Sequence, residues 1–253
     1  MNILFTICGR AGSKGIKNKN IRNFLGKPLP YYTLSAIDLY KKNFQGEDFV
    51  DVVVNTDSDE LIELMENNNF FKVDVIKRDA ALGGDTVSKI QVIQDCMDKM
   101  QSRKKIKYDM VVDLDITSPL RTKNDINNLI TVQKNKKNDV TFSVTDSRRN
   151  PYFNMVMNVD GEIQKVLKSD FVTRQQAPTM YDMNASLYAY NPEYLNSGKG
   201  VLDGKCGIIK MYDTAVLDLD HENDFELMEV IAKYLFEKND DFAEIVNNIH
   251  EYM

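Results

Sequence analysis

The feature that most constrains this chain is a hydrophobic period that changes repeatedly from strand-like to helix-like before residue 147. Short apolar runs at 1–8, 49–55, 73–77, 108–113 and 139–145 read as buried strands. Between them, apolar side chains recur at three-to-four spacing. Leu29, Tyr32, Ala36, Ile37 and Tyr40 follow Pro28, and Val87, Ile90, Ile93, Met97 and Met100 form a second series. A third helix is expected over 124–136, and Asp57 with Glu60 reads as a capping box. Strands alternating with crossover helices predict an α/β fold, a mainly parallel sheet with helices on both faces. Such sheets bind ligands at the carboxyl ends of their strands.

The pattern changes after Ser147. Runs at 153–159 and 162–167 flank Asp160-Gly161, a hairpin signal, and strands are expected at 184–190, 207–212 and 216–220. Two amphipathic helices end the chain. With no internal repeat and no low-complexity linker, 1–253 is expected to be one domain, with the segment near 148–183 as an excursion from the sheet.

Lysine and arginine number 32 against 38 aspartates and glutamates, a net charge of −6. That balance argues against a bulk nucleic-acid or anionic-membrane binder, while leaving room for a locally basic pocket. No apolar run approaches the ~20 residues of a membrane span. The first strand begins at once, without a signal peptide, and the three scattered cysteines fit reduced thiols, so a cytoplasmic protein is expected. Cys8 is read as a small buried hydrophobe.

Four motifs carry possible chemistry. Gly9-Arg10-Ala11-Gly12-Ser13-Lys14-Gly15, continuing to Lys19-Asn20, follows the first strand directly. Backbone N–H groups in such a turn can face phosphate oxygens, and Arg10, Lys14 and Lys19 could offset a triphosphate's charge; the alternative is a solvated basic turn. The spacing is neither that of a Walker loop nor that of a dinucleotide fingerprint. Asp218-Leu219-Asp220 and Asp113-Leu114-Asp115 each place two carboxylates on one side of a strand. Such pairs suit Mg²⁺ together with phosphate oxygens, or are polar faces of half-exposed strands. Arg174-Gln175-Gln176, with Asn184-Ala185-Ser186 beyond it, reads by itself as a polar cluster. His221 beside the second acidic pair reads as a surface or supporting group.

Taken in order, GRAGSKGIKNKNIRNFLGKPL, TSPLR, RQQAP with YDMNASLYAY, and VLDLDHENDFEL resemble the acylneuraminate cytidylyltransferase family over nearly the whole chain. The resemblance implies a Rossmann-like fold of the nucleotide-diphospho-sugar transferase type, with a small protruding element that makes a homodimer. It implies transfer of CMP from CTP to a nine-carbon acidic 2-keto sugar, with release of pyrophosphate. Arg10, Gly12, Ser13, Lys14, Lys19, Asn20, Arg78 and Asp85 would meet CTP. Ser118, Arg174, Gln175 and Asn184 would meet the sugar. Asp218, Asp220 and Asp115 would hold Mg²⁺, for which Mn²⁺ could substitute, and with Arg10 and Lys19 they form the expected catalytic set. One departure matters: sialic-acid members carry Gln-Pro before TSPLR, where this chain has Asp115-Ile116. That aspartate, with Arg149-Asn150-Pro151-Tyr152-Phe153, looks more like the legionaminic acid branch, ahead of N-acetylneuraminate, pseudaminate and KDO activators. A non-catalytic nucleotide-binding module is the alternative from another class.

Overall fold

In chain order the strands are β1 (Asn2–Cys8), β2 (Asn23–Phe24), β3 (Lys27–Pro28), β4 (Phe49–Thr56), β5 (Asp74–Lys77), β6 (Met110–Leu114), β7 (Val140–Asp146), β8 (Val156–Val159), β9 (Glu162–Lys165), β10 (Tyr181–Tyr190) and β11 (Cys206–Lys210). The α-helices are α1 (Leu29–Phe44), α2 (Asp59–Glu66), α3 (Lys89–Lys104), α4 (Lys123–Lys136), α5 (Pro192–Leu195), α6 (Glu222–Lys238) and α7 (Asp240–Tyr252). The structure, a computed structural model, describes residues 1–12, 15–84, 87–213, 219 and 221–253, with every side chain but that of Arg174.

Among the described residues seven strands form the central sheet, in the order β11-β7-β10-β6-β1-β4-β5. Every neighbouring pair is parallel except the two made by β10, which runs antiparallel between β6 and β7. The α/β, mainly parallel fold expected from the period changes is therefore present, with one reversed strand inside it.

Strand alternation sorts the two faces. On β1, Ile3, Phe5 and Ile7 pack towards buried residues of α1, α4, α6 and α7. Leu4 faces the other way, onto Ile93, Cys96, Met97 and Met100 of α3. Full burial of such side chains contributes roughly 1.5–3 kcal/mol each, so the parity of β1 alone fixes its register firmly. Asp113 and Thr6 lie on the α3 face of neighbouring strands, both fully buried.

Two local expectations need correction. Ser58, not Asp57, caps α2, accepting from Leu61 N at 3.2 Å; Asp57 instead accepts from Ala11 N at 2.7 Å, an amide of the glycine loop. Val87 precedes α3, which starts at Lys89 under a capping box of Ser88 and Gln91. The strand expected over 216–220 lies, apart from Leu219, outside the described residues.

Between β7 and β10 the chain leaves the sheet. β8 and β9 pair across a two-residue turn in which Asp160 (φ 50°) and Gly161 (φ 91°) are both left-handed, the geometry that matches strand twist in a tight hairpin. Both strands are exposed: Val156 keeps 63% and Ile163 66% of its surface.

Candidate active site

Strand order reverses at β1: the chain runs outwards through β4 and β5, then returns to place β6 on the other side of β1. Loops diverge there, and open α/β sheets form ligand crevices at such points. A cavity of about 490 Å³ opens at this edge, lined by Cys8 of β1, Arg10, Lys19, Asn20, Arg78, Lys89, Asp115 and Thr117, among others. Five of the residues singled out by sequence thus meet in one place: Arg10, Lys19, Asn20, Arg78 and Asp115.

Backbone constraints shape the entrance. A Cβ on Gly9 would stand 2.8 Å from Leu61 Cδ2 and 2.9 Å from Ile116 Cδ1, so only glycine lets the loop leave β1 so closely packed. Gly12 is exposed and left-handed, at φ +72°. Asn20 Nδ2 donates to Arg10 O at 3.0 Å and folds the loop back on itself. Lys19 Nζ donates to Leu219 O at 2.6 Å, tying the glycine loop to the segment between Asp218 and Asp220. Arg78 is held against the end of β4, with Nε to Asn55 Oδ1 at 2.7 Å and Nη2 to Asn55 O at 3.0 Å.

The end of β6 forms the cavity's charged wall. Asp113 is fully buried and accepts from Thr6 Oγ1 at 2.8 Å. Lys89 Nζ lies 2.8 Å from Asp113 Oδ2 and 2.8 Å from Asp115 Oδ2. The other Asp115 oxygen accepts from Thr117 N at 2.9 Å and Thr117 Oγ1 at 2.7 Å. Burial alone would pull the Lys89 ammonium down, but Asp113 and Asp115 hold it well above the ordinary lysine value. Burial raises Asp115, yet Lys89 and Thr117 outweigh it and hold that carboxyl below the usual range. The Cys8 thiol is pushed up, first by its hydrogen bond with Cys96 and then by burial, which makes it a poor nucleophile and fits a packing role.

The TSPLR and NAS motifs meet behind this wall. Asp115 N donates to Ser186 O at 3.1 Å, and Ser118 Oγ donates to Ser186 Oγ at 2.7 Å. Ser186 reaches this point because β10 shifts register between Met183 and Tyr188, with Ala185 left-handed at φ 53°. A bulge of this kind re-aims side chains beside functional sites. Asn184, also in the bulge, is buried and accepts from Ser143 Oγ at 2.5 Å, and its Nδ2 has no partner among the described residues. Arg121 is buried too, donating through Nη2 to Ser118 O at 2.6 Å and to Asp115 O. Burial brings its guanidinium down to about 10, against the upward pull of Asp115, Asp113 and Asp125. It therefore stays charged at neutral pH.

Gln175 lies elsewhere, in a hollow of about 380 Å³ lined also by Asp146, Ser147, Asn150 and Met180, which shares no lining residue with the first cavity. Ser118 is buried beneath the wall rather than lining the cavity. Ser13, Lys14, Asp85, Asp218 and Asp220 lie outside the described residues, as does the side chain of Arg174. Among the described residues no three His, Cys, Asp or Glu side chains converge as a metal site. His221 is exposed at the start of α6, as read from sequence.

Lys89 escaped the sequence reading, and Thr117 entered it only as part of TSPLR, with no role of its own. Lys89 carries one legible signal: a cation in the first turn of a helix opposes the helix dipole, so it needs acidic partners from elsewhere. Nothing in the local sequence says which ones.

The fold and this edge define an α/β nucleotide-binding enzyme of the Rossmann-like type. The family model for cytidylyltransferases matches residues 4–196, and the chain belongs to that family, the nucleotidyltransferases that use CTP. It is 36% identical over 239 residues to post-translational flagellin modification protein B of Campylobacter coli, covering 94% of this chain and 96% of that protein. CMP-N,N'-diacetyllegionaminic acid synthase of Campylobacter jejuni is 34% identical over 232 residues, covering 90% of this chain and 94% of the relative. Among solved structures, CMP:2-keto-3-deoxy-manno-octonic acid synthetase complexed with CTP shares the fold. Its TM-score is 0.63 at 13% identity, over 92% of this chain and 99% of that one.

Proposed function

We propose that this protein transfers CMP from CTP to a nine-carbon acidic 2-keto sugar, with legionaminic acid or its N,N'-diacetyl form as the preferred acceptor. The observation that carries this reading is the convergence of Arg10, Lys19 and Arg78 on one cavity at the strand-order reversal. Three cationic side chains suit a triphosphate far better than a neutral ligand. The 34% identity to a synthase named for the diacetylated sugar favours that acceptor.

In this reading the anomeric hydroxyl attacks the α-phosphorus, and pyrophosphate leaves in line. Arg10 and Lys19, with Lys14, hold the β- and γ-phosphates and neutralise charge on the leaving group, while Gly12, Ser13 and Asn20 fix the loop around CTP. Arg78 and Asp85 face the base. Arg174 and Gln175 read the sugar, while Asn184 and Ser118, both buried, hold the wall behind it. A divalent ion, Mg²⁺ or Mn²⁺, would add charge neutralisation at the phosphates. Asp218 and Asp220 supply carboxylates for it, whereas both Asp115 oxygens are already engaged by Lys89 and Thr117.

The protein acts as a homodimer in this account, since Phe153, Met155, Val156, Met157, Val159 and Ile163 are all exposed on the excursion. Three cysteines, none in a disulfide, fit a reducing cytoplasm, and no described helix is long and apolar enough to cross a membrane.

The test is pyrophosphate release with each of the four nucleoside triphosphates against legionaminic acid, its N,N'-diacetyl form, N-acetylneuraminate, pseudaminate and KDO. Release with CTP and a legionaminic acid supports the proposal, and release with another acid reassigns the acceptor. CTP binding without release from any acceptor would instead support a binding module.

A further inference from the structure

The acidic pair at the end of β6 already has its cation. Lys89 Nζ stands 2.8 Å from Asp113 Oδ2 and 2.8 Å from Asp115 Oδ2, and the remaining two oxygens receive Thr6 Oγ1, Thr117 N and Thr117 Oγ1. Three of the four carboxylate oxygens accept hydrogen bonds, and the fourth, Asp113 Oδ2, is buried without one and faces the Lys89 ammonium at ion-pair distance. Mg²⁺ needs oxygen ligands at about 2.0–2.1 Å and keeps several waters, so it would have to displace the ammonium to use both oxygens. With Lys89 in place Asp113 is fully buried, which leaves no room for those waters on its side. Lys89 is also the first residue of α3, and the positive end of that helix opposes a second cation at this point.

We propose that Lys89 is a positioning residue that serves as the resident cation of this pair, fixing the Asp115 carboxylate in the cavity wall and closing Asp113 and Asp115 to a divalent ion. Metal use by the enzyme then depends on other carboxylates. The effect on turnover rests on the CTP-transfer reading above; the effect on metal binding does not.

The experiment counts Mn²⁺ bound to the nucleotide-free protein, following the spin-resonance signal of free Mn²⁺, with circular dichroism to confirm folding. Wild type and Lys89→Arg are expected to bind the same number of ions. Lys89→Met is expected to bind one more per chain, and Lys89→Met with Asp113→Asn to lose it again. Asp115→Asn alone is expected to leave Mn²⁺ affinity within a factor of about two of wild type, where loss of a true ligand would cost more than roughly tenfold. A folded Lys89→Met that binds no additional ion overturns the proposal, as does a tenfold loss of affinity in Asp115→Asn. Should Lys89→Met fail to fold, the Asp115→Asn arm decides alone. In parallel, the Mg²⁺ concentration giving half-maximal pyrophosphate release is expected to shift in Lys89→Met and to be restored in Lys89→Arg. Absence of release from wild type with every acceptor would count against the transfer reading, while the Mn²⁺ counts would still decide the role of Lys89.

Discussion

The cavity at the β1–β6 edge and the hollow beside Gln175 are built on opposite principles. The first is walled by groups already locked together: Arg78 on Asn55, Lys89 on Asp113 and Asp115, and Ser118 on Ser186. The second is lined by Asn150, Gln175 and Met180, in the excursion whose strands β8 and β9 carry exposed apolar residues. One region is preorganised for charge among the described residues. The other belongs to an excursion that exposes apolar surface on β8 and β9. A triphosphate demands fixed cations in a low-dielectric wall, so that half must be rigid before the ligand arrives. Recognition of a bulky sugar can be divided between two chains, and its specificity then depends on how they assemble.

The sharpest way to break this contrast is on the nucleotide side. Asp218→Asn or Asp220→Asn is expected to lower turnover by roughly 10²–10³, as losing one transition-state contact does, with sugar affinity preserved; single-turnover kinetics and equilibrium dialysis separate the two. Near-normal turnover in both variants would move the metal elsewhere. Next in size, Lys89→Met leaves the buried Asp113 without its counterion. Breaking a buried pair costs about 3–5 kcal/mol, and the one-third exposure of Lys89 reduces this to about 2 kcal/mol, readable in a urea titration. Gly9→Ala is expected to cost about 1–3 kcal/mol through overlap with Leu61 and Ile116. On the hairpin side, Val156→Asp with Ile163→Asp is expected to weaken dimerisation roughly tenfold, seen by sedimentation equilibrium, with monomer stability unchanged. A dimer indifferent to both changes would place its interface on another face.

The smallest effect is one of pH. Asp115 is held below the ~3.9 of an unfolded aspartate. Its stabilisation is therefore complete above that pH and is lost as pH falls through the lower folded value. Asp115→Asn is expected to flatten the acid limb of the stability profile without changing its shape near neutrality. An acid limb identical to that of wild type would show that the pair contributes nothing.

Much of the fold was legible because strand and helix periods differ so clearly. Ile3, Phe5 and Ile7 alternate with Leu4, and α3 was visible in Ile93, Met97 and Met100. The reversal of β10 was not legible, because strand direction follows from where the chain re-enters the sheet and not from its residues. The glycine loop and the Asp113–Asp115 pair were visible as motifs. Their closure by Lys89 was not, since that lysine is 24 positions before Asp113 and 26 before Asp115, and only the packing of α3 on β1 and β6 joins them. Likewise NAS reads as a polar cluster unrelated to TSPLR in sequence, and only the β10 bulge brings Ser186 to Ser118.

The most direct test of the central claim is calorimetric titration of CTP into wild type, Arg78→Ala, Lys19→Ala and Gln175→Ala. If the β1–β6 edge is the nucleotide site, the first two variants lose about tenfold or more in affinity, the loss expected from removing one charge-assisted hydrogen bond, and Gln175→Ala binds CTP like wild type. CTP affinity that falls in Gln175→Ala and is unaffected in the two cavity variants would contradict the account and move the nucleotide to the hairpin side.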